Sequence, residues 1–379
     1  MISKTTSFFR RIFLIAGILY SLIYLVSCFT PYINPIVFWP LTFLSLGFPF
    51  LLGGMILLFL ISLWGNKKYS LLLLLVLAVG FKNIATVFAF NKPLKFQQEK
   101  PAGTIRVLSW NVNNFINCKK INNIPGNPCS RILNFIRQSN ADILCLQDFS
   151  NVYDPSYRST FDYIKDSLGY KYSYFPDNYS YVSNISKGLH EQYGTPVFSR
   201  YPLSDSGNLT FAETPFNEHL VYVTIHVNGD SIRIFNTHLL SMDIHTSNVP
   251  PPYGHNFLRS DTALMFHSNT FRKLKHFDKI HIQQALQAKA FMNKSNLPFI
   301  FCADINSVPT TYAYYQLSDG LKDSFLSTGF GLGRTYDSIS STLRIDVVLM
   351  SKVLKPVQHL TAHVHVSDHF PNISDIQLK

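Results

Sequence analysis

Hydrophobic positions are arranged in two different ways along the chain. In the first 90 residues they form three long runs, Ile12–Phe29, Ile36–Trp64 and Leu71–Phe90, the last interrupted by Lys82 and Asn83. A helix needs about 20 apolar residues to cross the hydrocarbon core of a bilayer. All three runs are long enough, so residues 1–91 are expected to form a membrane anchor of about three transmembrane helices. Residues 92–103 are polar and read as a linker. From residue 104 the apolar runs shorten to strand length and alternate with helical stretches. Strands are predicted at Thr104–Val112, Asp142–Gln147, Thr195–Ser199, Leu220–Val227, Ser231–His238, Leu297–Cys302, Leu343–Met350, His359–Val366 and Asn372–Leu378. Asn228-Gly229-Asp230 is a hairpin signal. Helices are predicted at Ser130–Ser139, with Ser130 as N-cap, at Pro155–Leu168 and at Asn269–Asn293. Many strands with few helices imply packed sheets flanked by helices, so residues 104–379 are expected to form one α/β domain.

Charge follows the same division. The chain carries 33 Lys+Arg and 22 Asp+Glu. Nine of the basic residues and only one acid, Glu99, lie in residues 1–100, so the later residues are close to neutral. A nucleic-acid surface needs basic charge clustered on the binding domain itself, and this distribution does not favour one. Lys4, Arg10 and Arg11 precede the first apolar run, none follows it before Ile36, and Lys67 and Lys68 follow the second. The positive-inside rule then puts the N-terminus in the cytoplasm and, after three spans, the remaining domain outside it. Breaks at Pro40, Pro49 and Gly53-Gly54 would instead make the second run re-entrant and invert that side. Cys28, Cys145 and Cys302 lie in apolar runs and read as buried small hydrophobes. Cys118 and Cys129 flank a Pro/Gly/Asn-rich loop and would pair only in an oxidising compartment.

The candidate chemistry lies where apolar strands run out. Val107-Leu108-Ser109-Trp110 ends at Asn111, and Ile143–Leu146 at Gln147-Asp148. Ile232–Phe235 ends at Asn236-Thr237-His238, and Phe299–Cys302 leads to Asp304-Ile305-Asn306. Asp346 is placed inside a strand, and Ser367-Asp368-His369 is the last of the set. One polar residue at a strand end is usually a cap. Six such motifs together point to one site on the rim of a sheet sandwich. Oxygen ligands suit a hard divalent cation. A histidine held by a carboxylate suits proton transfer or phosphate binding. Phosphoester hydrolysis uses both.

These motifs, in this order, resemble those of the endonuclease/exonuclease/phosphatase superfamily over about residues 104–379. The resemblance implies a four-layered α/β sandwich, two packed mixed β-sheets flanked by helices, here preceded by N-terminal transmembrane helices. The anchor is similar to that of membrane-bound bacterial members, which implies an inner-membrane location. The resemblance also assigns roles. Asn111 and Asp148 would hold Mg²⁺, or Mn²⁺, from one side, and Asp368 would be a further carboxylate at the metal. Asp304 would orient or deprotonate the attacking water, and Asn306 would contact the phosphate. Asp346 would fix the tautomer of His369. His238 would contact the phosphate or assist the leaving group. The family nearly always has Glu where this chain has Asp148, and Ala303 replaces the usual Gly.

Arg200 and Arg334 are further candidates for a phosphate contact. The loop Ser241–Ser268, with His245, His255 and His267, reads as a substrate lid or membrane-facing loop. The expected function is metal-dependent hydrolysis of a phosphoester at the membrane, with a lipid headgroup or a nucleotide among the substrates. The alternatives are a nuclease, and a weakened, membrane-tethered binding module.

Overall fold

The computed structural model describes residues 2–65, 67–115, 128–153, 158–176, 179–183, 189–212, 218–241, 268–337 and 340–378. Cys118, one half of the conditional Cys118–Cys129 pairing, and His245, His255 and His267 of the 241–268 loop lie outside this set. The chain divides into two compact units, residues 1–88 with 308–315, and residues 89–307 with 316–379.

In the first unit, α1 (Ile2–Cys28) and α2 (Leu41–Ser62) are the long helices. Two segments, Arg11–Tyr32 and Leu41–Ser62, are long and apolar enough to cross a membrane. Pro49 lies inside α2 without ending it, so the second run is one continuous helix. The third run is a broken one, apolar enough over its two helices together for a bent span or a re-entrant loop. It consists of α3 (Lys67–Val79) and α4 (Phe81–Val87), bent by 57°. Gly80 stands at the bend, where a Cβ would lie 2.0 Å from the Tyr24 hydroxyl oxygen. Beyond it Asn83 donates through Nδ2 to the carbonyls of Ser27 and Cys28 at the end of α1. The polar residue that interrupts the run thus satisfies carbonyls that a helix end leaves open. Val308–Tyr315 is part of this unit. Thr310 accepts from Thr30 Oγ1 at 3.0 Å and donates to the Ser45 carbonyl at 2.8 Å. The Tyr315 ring meets Tyr32 edge-on, and Lys82 Nζ lies over both rings.

The second unit is built on strands. In chain order they are β1 (Ala89–Phe90), β2 (Thr104–Asn111), β3 (Ile143–Gln147), β4 (Phe149–Tyr153), β5 (Tyr172–Tyr174) and β6 (Tyr179–Ser183). Next come β7 (Leu189–Gly194), β8 (Val197–Ser199), β9 (Leu203–Thr210), β10 (His219–Val227), β11 (Asp230–His238) and β12 (Phe299–Asp304). The last are β13 (Leu321–Asp323), β14 (Phe330–Gly331), β15 (Asp346–Ser351), β16 (Lys355–Thr361) and β17 (Asn372–Gln377). Two six-stranded sheets result, ordered β13-β15-β12-β11-β10-β9 and β16-β17-β2-β3-β8-β5. Each is mixed, with one parallel pair, β11–β12 or β2–β3.

Period-two alternation decides what lies between the sheets. Ile105, Val107, Ile143 and Cys145 from one sheet pack with Ile232, Ile234, Ile300, Cys302, Val348 and Met350 from the other. The opposite faces meet helices. Leu108, Trp110, Leu144 and Leu146 pack with Ile132, Leu133 and Ile136 of α5 (Pro128–Ser139). Phe235 and Tyr222 meet Phe291 of α7 (Ser268–Met292), α6 being the single turn Thr160–Asp162. The architecture is therefore helix, sheet, sheet, helix, as expected. Asn228 and Gly229 both take positive φ, 52° and 86°, in the two-residue turn between β10 and β11.

Several elements differ from the reading of the sequence. The strand expected at His359–Val366 is Lys355–Thr361; it is an edge strand, where Pro356 costs no ladder bond. The strand around Asp346 begins at that residue rather than at Leu343. A third sheet, β4-β7-β6, and the edge strand β9 were not expected. Leu203–Thr210 is mostly exposed and polar, so no apolar alternation marks it.

Candidate active site

The same alternation that fills the core also delivers the polar residues. Asn111 continues the inward series of Ile105 and Val107, and His238 that of Ile232 and Ile234. Asp304 follows Ile300 and Cys302, while Asp346 precedes Val348 and Met350. Strand register then aligns them: His238 pairs with Asp304 in β11–β12, and Asp304 with Asp346 in β12–β15. Asn111 stands at the end of β2 in the facing sheet.

Asp304 is the centre of the group. It is fully buried. Its Oδ2 accepts from Asn111 Nδ2 at 2.9 Å and lies 3.6 Å from Nε2 of both His238 and His369. Its Oδ1 accepts from the backbone N–H of Asn306 at 3.0 Å. His369 Nδ1 faces Asp346 Oδ2 at 2.9 Å. Asp346 is itself held by its backbone N–H, which donates to Thr335 Oγ1. The His369 carbonyl accepts from Trp110 Nε1 at 2.9 Å, and Tyr336 meets the imidazole edge-on. Asp346 and Tyr336 thereby hold the ring, and Trp110 holds the backbone that carries it. Asn306, with φ 47°, turns back so that its Nδ2 reaches the Leu239 carbonyl at 2.9 Å and His238 Nε2 at 3.1 Å.

Asp148 also takes a positive φ, 46°, directly after β3. Its Oδ1 is 3.3 Å from His238 Nδ1, and its Oδ2 is 3.4 Å from Asn111 Nδ2. Its side chain is 31% exposed, against 1% for Asp304, so it is open to solvent where Asp304 is not. Asp368 sits beside His369; its Oδ1 accepts from Ser367 Oγ, and Ser367 Oγ also contacts the Asn111 carbonyl. All eight expected site residues are thus gathered around one end of the two sheets.

The electrostatics follow from burial and crowding. Burial works against a charged His369, but Asp346 and Asp304 outweigh it and push the imidazole up to about 10, so it is cationic at neutral pH. Asp346 is raised above the usual carboxylate range by burial, with His369 opposing the shift. Burial lowers and Asp148, Asp304 and Glu218 raise His238, with a net upward shift.

The donor set fits a divalent cation. Carboxylates from Asp148, Asp304, Asp346 and Asp368 converge against two imidazoles, and Asp148 presents oxygen to solvent beside Asn111. Hard cations take such oxygen ligands. One potential ligand atom each from Asp304, Asp346 and His369 also lies within 4.8 Å of the others. These three are buried and joined by close polar contacts, whereas Asn111 and Asp148 form the open side.

Of the two candidate arginines, Arg200 is placed differently from expectation. Arg200 follows β8, which runs antiparallel to β3 with Ser199 opposite Ile143. It is therefore at the far end of β3 from Asp148, where it bonds Asn140 and covers the Tyr170 ring. Arg334 lies near the site, but its guanidinium is held by the Tyr336 carbonyl and by the carbonyl and side chain of Asp337. Arg200 is thus remote from the site, and Arg334 has Nε and Nη2 taken up by its own loop. Gln147 and Asn236, which also end strands, are fully buried and join the sheets. Gln147 Nε2 donates to Asn236 Oδ1, and Asn236 Nδ2 donates to the carbonyls of Leu146, Thr195 and Pro196.

The profile of the "Endonuclease/Exonuclease/phosphatase family" matches residues 108–369, and the chain belongs to that family. Its members are usually hydrolases acting on phosphoesters. Residues 10–87 match a separate domain family of unknown function. Among curated protein sequences none matches this chain significantly. Similar solved structures include a family protein from Bacteroides thetaiotaomicron, 16% identical, with a TM-score of 0.49 over 72% of this chain and 97% of that one. The human Nocturnin catalytic domain is 22% identical, with a TM-score of 0.47 over 72% and 93%. A Bacteroides thetaiotaomicron mannosyl-6-phosphatase is 17% identical, with a TM-score of 0.44 over 72% and 99%.

Proposed function

We propose that this chain is a membrane-anchored, divalent-metal-dependent hydrolase of phosphoester bonds. One observation carries the reading: Asp304, buried, is shared by Asn111, His238 and His369, with Asp346 behind His369. A carboxylate so placed can orient a water and take its proton. His369, kept cationic by Asp346, can stabilise negative charge on a non-bridging phosphate oxygen. Asn306 would contact the phosphate, and His238 the phosphate or the leaving group, each exchanging for it a contact made here with Leu239, with Asp148 or with the other. Asp148 and Asn111, with Asp368 nearby, would hold Mg²⁺ or Mn²⁺. A bound cation would supply charge neutralisation and lower the pKa of a water.

The N-terminal 91 residues act as the anchor and residues 104–379, apart from the segment 308–315 that packs with the anchor, as the hydrolase, joined by residues 92–103. With the bent α3–α4 pair counted as a third span, the distribution of Lys4, Arg10, Arg11, Lys67 and Lys68 supports a non-cytoplasmic catalytic unit; a re-entrant pair would leave that unit in the cytoplasm. The full chain in nanodiscs is to be assayed against bis(p-nitrophenyl) phosphate, a phospholipid, a nucleotide diester and single-stranded DNA, each with Mg²⁺, Mn²⁺ or EDTA. Metal-dependent turnover that disappears in Asp304→Asn is expected. Turnover that survives EDTA or Asp304→Asn would refute the reading, and a preference for DNA would make it a nuclease.

A further inference from the structure

Helix α7 carries an irregularity in its buried stripe. Ala285, Ala288 and Met292 are fully buried and apolar, yet the preceding turn of that stripe holds His281 and Gln284, equally buried. Both reach the same residue. Gln284 Oε1 accepts from the Leu240 backbone N–H at 3.0 Å, and His281 Nε2 meets the Leu240 carbonyl at 2.7 Å. Leu240 is two residues beyond His238. The other ring nitrogen, Nδ1, is 3.4 Å from Ser307 Oγ, and Ser307 follows Asn306.

These contacts define the ring's state. A carbonyl only accepts, so Nε2 carries the proton; Nδ1 is then free to accept from the Ser307 hydroxyl. Burial supports this, since it lowers His281 to about 4 and keeps the ring neutral. One neutral imidazole therefore ties together the two segments that leave β11 and β12. The segments are also tied to each other on the side of the site, by Asn306 Nδ2 to the Leu239 carbonyl and by Leu239 N–H to the Asp304 carbonyl. The pair is thus held from both sides, and the outer side depends on His281.

We infer that His281 is a positioning residue: with Gln284 and Ser307 it clamps residues 238–240 to residues 304–307 and so sets the distance between His238, Asn306 and Asp304. It touches no reacting atom and acts through Leu240 and Ser307. The catalytic part of this inference rests on the proposed hydrolase reading; the clamp itself does not. An apolar side chain of similar shape would fill the space but leave the buried Leu240 carbonyl without its donor.

The test uses the full chain in nanodiscs, with His281→Phe, His281→Gln and Ser307→Ala. Hydrogen exchange followed by mass spectrometry reads the clamp without any need for activity. His281→Phe should speed exchange at peptides covering 238–241, with the β2, β3 and β17 peptides unchanged. His281→Gln, which keeps a donor for Leu240, should restore protection. With bis(p-nitrophenyl) phosphate, kcat should fall about 10- to 100-fold in His281→Phe with KM within about threefold. Combining His281→Phe with Asn306→Ala should cost little more than Asn306→Ala alone, because both disturb one arrangement. Unchanged exchange at 238–241 in His281→Phe overturns the inference whether or not the chain is active. Fully multiplicative losses in the double variant would reduce His281 to a packing residue. If His281→Phe fails to fold, Ser307→Ala and His281→Gln decide: wild-type exchange at 238–241 in Ser307→Ala together with no rescue by Gln overturns it. An inactive unsubstituted chain with the expected exchange pattern counts against the hydrolase reading alone.

Discussion

The two ends of β2 bury charge in opposite ways. Near its start, Arg106 faces Asp375 directly across the β2–β17 ladder. Both side chains are fully buried. Arg106 donates to both Asp375 oxygens and to the carbonyls of Gln97, Gln98 and Ser139, while Gln358 adds a further donor to Asp375. Charge is balanced and the guanidinium is fully used. Five residues further on, Asn111 enters a cluster with more carboxylates than cations and with Asp148 open to solvent. A closed ion pair holds a fold; a cluster with unspent charge can bind something. Burial alone does not separate the two, since Asp304 and Asp375 are both fully buried.

The comparison can be broken at either end. The largest effect is expected from Asp304→Asn, which should lower turnover by about 10²- to 10⁴-fold with little change in the melting temperature. A variant that unfolds instead would make Asp304 a structural residue like Asp375. Asp375→Ala should do the reverse, because it leaves Arg106 buried without a partner. Denaturant titration should show a loss of about 3–5 kcal/mol, with kcat of the remaining folded protein near that of the parent. A selective loss of kcat would erase the contrast.

The six strand-end motifs were legible because alternation and strand ends are local properties. They point to packed sheets flanked by helices and to the gathering of Asn111, Asp148, His238, Asp304, Asp346 and His369, while the four-layered arrangement is what the family resemblance implies. What was missed depends on partners distant in sequence. Arg106 and Asp375 are 269 positions apart, and His281 reads as one more polar residue in a long helix. Gln147 and Asn236 show the converse. They carry the same local signal as Asp304, but they bond each other between the sheets. Arg200 was misplaced because a strand's sequence does not say which way it runs beside its neighbour.

A smaller effect tests the open side of the site. If Asp148 is a metal ligand, Asp148→Asn should weaken Mg²⁺ binding by calorimetry and lower turnover by on the order of 10- to 100-fold. Asp148→Glu should change both, upward if the shorter acid holds the ion poorly and downward if its positive-φ turn has adjusted to Asp. Identical binding and turnover in both variants would remove Asp148 from the metal site.

The smallest effect, on stability rather than turnover, concerns the half-buried His359. Burial lowers His359 to about 4, with Asp323 opposing and Arg344 assisting. Its ring nitrogens face Ser374 and Thr361. The folded state therefore takes up this proton less readily than the unfolded state. The histidine's contribution is complete above pH 6.5 and is lost as pH falls toward 4. His359→Gln should thus lose less stability than the parent between pH 7 and pH 4.5 in thermal melts. Parallel curves for the two proteins would show that His359 contributes none of the acid sensitivity.

The segment Val308–Tyr315 bears on modularity. These eight residues are counted with the N-terminal helices although they are encoded inside the catalytic region. Thr310, Ala313 and Tyr314 are buried, and the partners of Thr310 are Thr30 and Ser45. No single cut in the chain separates the two units. A chain begun at residue 92 would keep every motif of the family and still strip this segment of the groups it bonds. A foreign anchor joined at the same point would have to provide a hydroxyl for the Thr310 carbonyl and a carbonyl for its Oγ1. Shuffling of the helices and the hydrolase as separate cassettes is therefore disfavoured by eight residues that belong to one by sequence and to the other by packing.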